Sequence, residues 1–116
     1  MANRIRASMM LAWLRRCEAK VPIVLSALHL GLGGGLQGGR EVSLLHLPAE
    51  SFIEYQLQAQ SLAPERFVAT AAYGDGGPWY IPTRAAYPQG GYEVSVAFCD
   101  PSVDDVLSKG VKLLGK

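Results

Sequence analysis

The chain has 116 residues, enough for one domain and too few for two. Its 11 basic and 10 acidic residues leave a net charge of +1, which gives no electrostatic basis for nucleic acid or an anionic membrane as partner. The two cysteines, Cys17 and Cys99, sit in no CxxC or Cys/His arrangement with metal spacing and read as free thiols.

The first twenty residues, "MANRIRASMMLAWLRRCEAK", carry Arg4, Arg6, Arg15 and Arg16 and no acid before Glu18. Transit peptides share that composition, but the apolar spacing is that of an amphipathic helix over 2–19. Ile5, Met9, Ala12, Trp13 and Arg16 fall on one face. Arginines interrupt the apolar run, so no secretory signal is legible. Pro22 ends the helix. "PIVLSALHLG" is apolar on both faces and predicts a central strand. "GLGGGLQGG" over 31–39 is a flexible connection, and "EVSLLHLP" from Glu41 is a second strand able to pair with the first as a hairpin. The apolar stretch from Val21 to Leu36 is too short and too broken to span a bilayer.

A helix is expected over Ala49–Leu62, closed by Pro64, and a strand over Arg66–Tyr73. The segment "GDGGPWYIPTRAAYPQGGYE", Gly74–Glu93, is a rigid, aromatic loop. Glycines permit close backbone approach there, and prolines hold the turns. "YEVSVAF", 92–98, alternates as a fourth strand does. In the last helix Asp100 is the expected cap and Pro101 the first helical residue, with Val103, Val106, Leu107, Val111 and Leu114 as one apolar stripe. The predicted order is α-β-β-α-β-β-α, a single layered α/β (or α+β) domain over 1–116.

Several stretches invite chemistry. The glycine run matches neither GxGxxG nor GK[ST] and precedes a strand, so it offers no helix N-terminus to a phosphate. His29 and His46 lie inside apolar strands, and Pro48 separates His46 from Glu50, which removes HExxH geometry. Glu50 stands where a strand turns towards a helix, a position at which α/β folds bind ligands. It equally suits the first turn of a helix, where a carboxylate is favoured. The Gly/Pro/Tyr loop displays Tyr73, Trp79, Tyr80, Tyr87 and Tyr92, either as a pocket wall or as packing for the loop.

Three of these segments together resemble one family. "LHLPAESFIEYQLQAQ" resembles the "LPGE" strand-to-helix segment of neutral/alkaline non-lysosomal ceramidases and their bacterial ceramidase-like relatives. "GPWYIPTRAAYPQGGYE" resembles their "YIPT … YE" segment, and "DPSVDDVLSKGVKLLGK" resembles the helix that closes their catalytic domain. The resemblance runs from about residue 10 onward. It implies a zinc-dependent amidohydrolase acting on ceramide or a related lipid amide through metal-activated water. It implies Glu50 and Tyr80 as zinc ligands and Tyr92 near the polar head of the substrate.

"LPAE" stands where the family has "LPGE", and the segments bearing the family's two histidine ligands are absent. The chain therefore resembles the C-terminal part of a catalytic domain, one expected to bind zinc weakly and catalyse nothing alone. Its partners would be the missing N-terminal portion and the lipid amide, and faces left uncovered favour self-association. A non-catalytic α/β module that keeps the fold for binding or assembly is the competing reading.

Overall fold

The computed structural model describes residues 2–31, 41–74 and 77–115. The glycine connection expected over 31–39 lies outside them beyond Gly31.

Helix α1 spans Ala2–Glu18. Strands β1 (Ser26–Gly31) and β2 (Glu41–Pro48) pair antiparallel, from Ser26 opposite His46 to Gly31 opposite Glu41, as the hairpin reading expected. Strand β3 (Glu50–Ser51), helix α2 (Ile53–Leu62) and strand β4 (Phe67–Gly74) follow. Strand β4 runs parallel to β2, with Val42 opposite Phe67, so β2–α2–β4 is a crossover unit in a sheet ordered β1-β2-β4. Strand β5 (Tyr80–Ile81) pairs parallel with β3 as a second, two-stranded sheet. A 3-10 helix (Arg84–Gln89), α3 (Tyr92–Val96) and α4 (Val103–Leu114) complete the layered α/β domain.

The core lies on one face of the sheet. Ser43, Leu45 and Leu47 of β2 and Val68 of β4 point into it, against Tyr55, Ala59 and Ala63 from α2 and its C-terminal end and Leu107 and Val111 of α4. The opposite face is open: Leu28, Leu30, Leu44 and Phe67 are all exposed there. Pleating sends successive side chains to opposite faces, so one covered face produces this alternation.

Four expectations are corrected. Strand β1 is an edge strand, not a central one, because no further strand pairs beyond it among the described residues. Helix α2 begins at Ile53 rather than Ala49, because Glu50 and Ser51 are taken into β3 and the Phe52 N–H donates to the Ile81 carbonyl at 3.2 Å. Residues 92–96 form a helix instead of a strand. Gly90 (φ 73°) and Gly91 (φ 104°) turn the chain, and the Ser95 and Ala97 N–H groups then donate back to the Gly91 and Glu93 carbonyls. In α4 the cap is Ser102, and Asp100 instead folds a preceding turn by accepting from the Ser102 N–H at 2.7 Å. Hydrogen bonding from Ser102, by its side chain first and its backbone N–H second, lowers the Asp100 carboxyl below its ordinary range.

The stripe on α4 also divides. Leu107 and Val111 are buried while Val106 is 69% exposed. Leu107→Ala is expected to cost about 2–4 kcal/mol, and Val106→Ala to stay within about 0.5 kcal/mol of wild type. Urea unfolding of the two variants checks this, and equal losses would contradict the packing described.

Candidate functional site

Strand β2 leaves its ladder at a corner. The register shifts between His46 and Pro48, and Ala49 takes the left-handed conformation, φ 54°. Tyr73 (φ 67°) and Trp79 (φ 69°) do the same beside it. L-residues with a Cβ resist this conformation, so surrounding bonds must hold it. Ala49 N–H donates to Gly74 O at 2.9 Å, Tyr73 N–H to Ala49 O at 2.7 Å and Glu50 N–H to Trp79 O at 2.8 Å. Gly77 packs closely on the corner, since a Cβ there would lie 3.0 Å from the Ala49 methyl and would push it aside. Ala49 thus occupies a backbone position that favours glycine, the residue of the "LPGE" pattern.

The corner places Glu50 directly opposite Tyr80 in the β3–β5 register. Both are half-buried and line one cavity of about 380 Å³, with Phe52, Glu54, Tyr73 and Glu93. Hydrogen bonding to the Glu50 carboxylate is the largest cause of a Tyr80 phenol pushed up to about 12; burial and the Glu50 charge add to it, and Tyr92 and Glu93 add less. The Tyr92 ring stands edge-on to Tyr80, with centroids 6.0 Å apart and planes at 79°. The three site residues read from the sequence therefore meet in one place. Tyr92 reaches it from the first turn of α3 rather than from a strand.

The segment carrying Tyr80 is tied down from behind. Pro78, Ile81 and Pro82 are buried. Tyr55, buried in the core, donates its hydroxyl to the Pro82 carbonyl at 3.1 Å, and burial pushes its phenol well above the ordinary range. The Cys99 thiol donates to the Tyr80 carbonyl at 3.4 Å, and the Tyr87 hydroxyl donates to the Cys99 carbonyl at 2.9 Å. Burial raises both the Tyr87 phenol and the Cys99 thiol. The loop's rings thus divide between the two roles open to them. Tyr80 and Tyr73 face a cavity, whereas Tyr87 packs and pins.

Neither histidine lines the Glu50–Tyr80 cavity. His29 Nδ1 is 2.8 Å from Ser43 Oγ across the hairpin, and the His46 ring fills the space beside Gly74, where a Cβ would lie 1.7 Å from Nε2. No three His, Cys, Asp or Glu side chains stand together as a metal-holding group among the described residues. Sequence reading missed Glu93, whose one signal was its place after Tyr92. Glu54, in the first turn of α2, borders the cavity while remaining exposed. Compared with protein-family models, curated proteins and solved structures, the chain matches none.

Glu50→Gln removes the largest cause of the Tyr80 shift, and ring-carbon NMR of the metal-free protein is expected to find the phenol back towards the ordinary value of about 10. Folding raises this pKa, so the stability that it contributes is complete below about pH 10. That contribution is lost as pH rises through about 12. A Tyr80 titration unmoved by Glu50→Gln would show that the carboxylate is not its partner.

Proposed function

We propose that this chain is the C-terminal portion of a ceramidase-like zinc amidohydrolase, contributing Glu50 and Tyr80 to the metal and Tyr92 to the substrate side. The observation that carries the reading is the pairing of Glu50 with Tyr80 in the β3–β5 register, with both side chains lining one cavity. These residues lie 30 positions apart in the chain, and the "LPAE" and "YIPT" segments share no local contact that would join them without the fold.

The donor set fits half of such a site. Zinc in proteins takes four ligands in structural sites and three plus water in catalytic ones. One carboxylate and one phenol supply two, and His29 and His46 lie outside the cavity. On this reading two histidines come from polypeptide beyond these 116 residues. Zinc, when bound, acts as a Lewis acid and lowers the pKa of a coordinated water to about 7. The chain's own residues have narrower tasks. Glu50 holds negative charge at the cavity floor. Tyr80, a phenol that Glu50 and burial push further above physiological pH, presents its oxygen beside it, and a cation reverses the local preference for the neutral phenol. The Tyr92 ring packs against Tyr80 and fixes its orientation.

The open apolar sheet face of Leu28, Leu30, Leu44 and Phe67 also suits a second reading, a non-catalytic module that docks through this face. Among the described residues no helix is long and apolar enough to cross a membrane, so that face does not belong to a membrane-spanning helix.

Zinc content separates the two readings. In the complete enzyme that the first one requires, Glu50→Ala or Tyr80→Phe is expected to bring retained zinc to near background, and hydrolysis of ceramide or a related lipid amide with it. The 116-residue chain alone is expected to hold zinc weakly and to hydrolyse nothing measurable. Unchanged zinc in both variants would remove the metal-ligand reading and favour the module.

A further inference from the structure

A second, larger cavity of about 700 Å³ lies between α1 and the corner. Its size falls in the range of small-molecule sites, about 300–1,000 Å³. Its walls are mainly apolar and aromatic: Met9 and Trp13 from α1, Tyr73 and Trp79 from the loop ends, and Phe98. The rings are held in place by the protein itself. Trp13 Nε1–H donates to the Phe98 carbonyl at 3.1 Å, and the Trp79 and Phe98 rings meet edge to face with centroids 5.5 Å apart.

One lining residue is cationic. Arg16 donates from Nη2 to the Pro22 carbonyl at 2.7 Å, while its Nε is buried with no partner among the described residues. A buried donor without an acceptor is unfavourable, and more so on a charged group. The ion pairs among the described residues are Arg66 with Glu41 and Glu65, and Arg84 with Asp105, so Arg16 is not neutralised by any of them. Glu50 lines the cavity too without pairing with it.

Backbone strain converges on the same walls. Of the four non-glycine residues at positive φ among the described residues, Ala49, Tyr73 and Trp79 line this cavity. Strained residues of this kind persist where the surrounding structure over-determines them, and they cluster at ligand sites.

We propose that this cavity is a binding site for a flat, apolar carboxylate, with the ring system between Trp13, Trp79 and Phe98 and a carboxylate oxygen accepting from the Arg16 guanidinium. Rigid aromatic walls favour a planar apolar body. A carboxylate is the acceptor that best matches a guanidinium edge. The inference does not rest on zinc ligation: it uses Arg16 and the aromatic walls, and of the residues given a role in the zinc reading only Glu50 borders this cavity.

The chain's two tryptophans, Trp13 and Trp79, both line the site and report on it through their indole N–H signals in a ¹⁵N-labelled sample. Titration with 2-naphthoate is expected to move both signals saturably. The amine of similar shape, 2-naphthylmethylamine, is expected to bind at least about ten-fold more weakly, because it presents a cation to Arg16. Arg16→Gln lowers 2-naphthoate affinity by about ten-fold. Ala12→Phe keeps Arg16 but places a ring in the cavity from α1 and abolishes the shifts, while the remaining amide spectrum shows the protein folded. Equal binding of the two probes, full 2-naphthoate affinity in either folded variant, or indole signals that do not move each overturn the proposal.

Discussion

The site depends on two residues of β3 pairing with two of β5. That pairing is short, and its position is set by the corner at Ala49. With Ala49 in the left-handed conformation, the chain leaves the β2 ladder and directs the Glu50 N–H to the Trp79 carbonyl. The next backbone donor, at Phe52, reaches the Ile81 carbonyl before α2 begins. A strand continuing straight would keep Glu50 in register with β4. The corner instead turns it to Tyr80, and both cavities share Glu50 as a wall.

So short a ladder is held from outside itself. Buried Tyr55 anchors Pro82 from the core side, and Cys99 and Tyr87 anchor Tyr80 from the other. Arg84 extends the anchoring to α4, with its N–H on Asp104 at 2.7 Å and its guanidinium on Asp105. The Asp104 and Asp105 carboxylates lie in the first turn of α4, where negative charge is favoured. Core packing of α2 and α4 is thereby passed to a segment with little core of its own. Positioning of a functional side chain by such a supporting layer is what keeps its geometry narrow.

The same economy leaves the sheet one-sided. Helices cover the face of Leu45, Leu47 and Val68, and the face of Leu28, Leu44 and Phe67 stays in contact with solvent. Apolar residues on both faces of β1 were legible in the sequence; which face the helices cover was not. A fully apolar strand reads as central whether its second face meets another layer of this chain or none. The four exposed leucine and phenylalanine side chains form the kind of patch that marks an interaction surface.

Local chemistry determined much of this protein without help from the fold. Pro22 and the spacing of Met9, Trp13 and Arg16 specify α1, whereas the glycine- and proline-rich segment read as one rigid loop over 74–93 contains β5, a 3-10 helix and the start of α3. Residue type alone left Glu50, Tyr80 and Tyr92 open to structural roles, and the resemblance to a ceramidase-like pattern is what made them site candidates. Other features were decided by contacts distant in sequence. Residues 92–96 alternate like a strand, yet Gly90 and Gly91 turn the chain and, among the described residues, no strand pairs with them, so they close their hydrogen bonds as a helix. Val106 shares a stripe with Leu107 in projection, but only Leu107 joins the core with α2, and Val106 stays exposed. The union of Glu50 with Tyr80, the raised phenol and the second cavity beneath α1 exist only in three dimensions. Period and residue type are properties of neighbours along the chain, whereas register, strain and the closing of a cavity are set by neighbours in space.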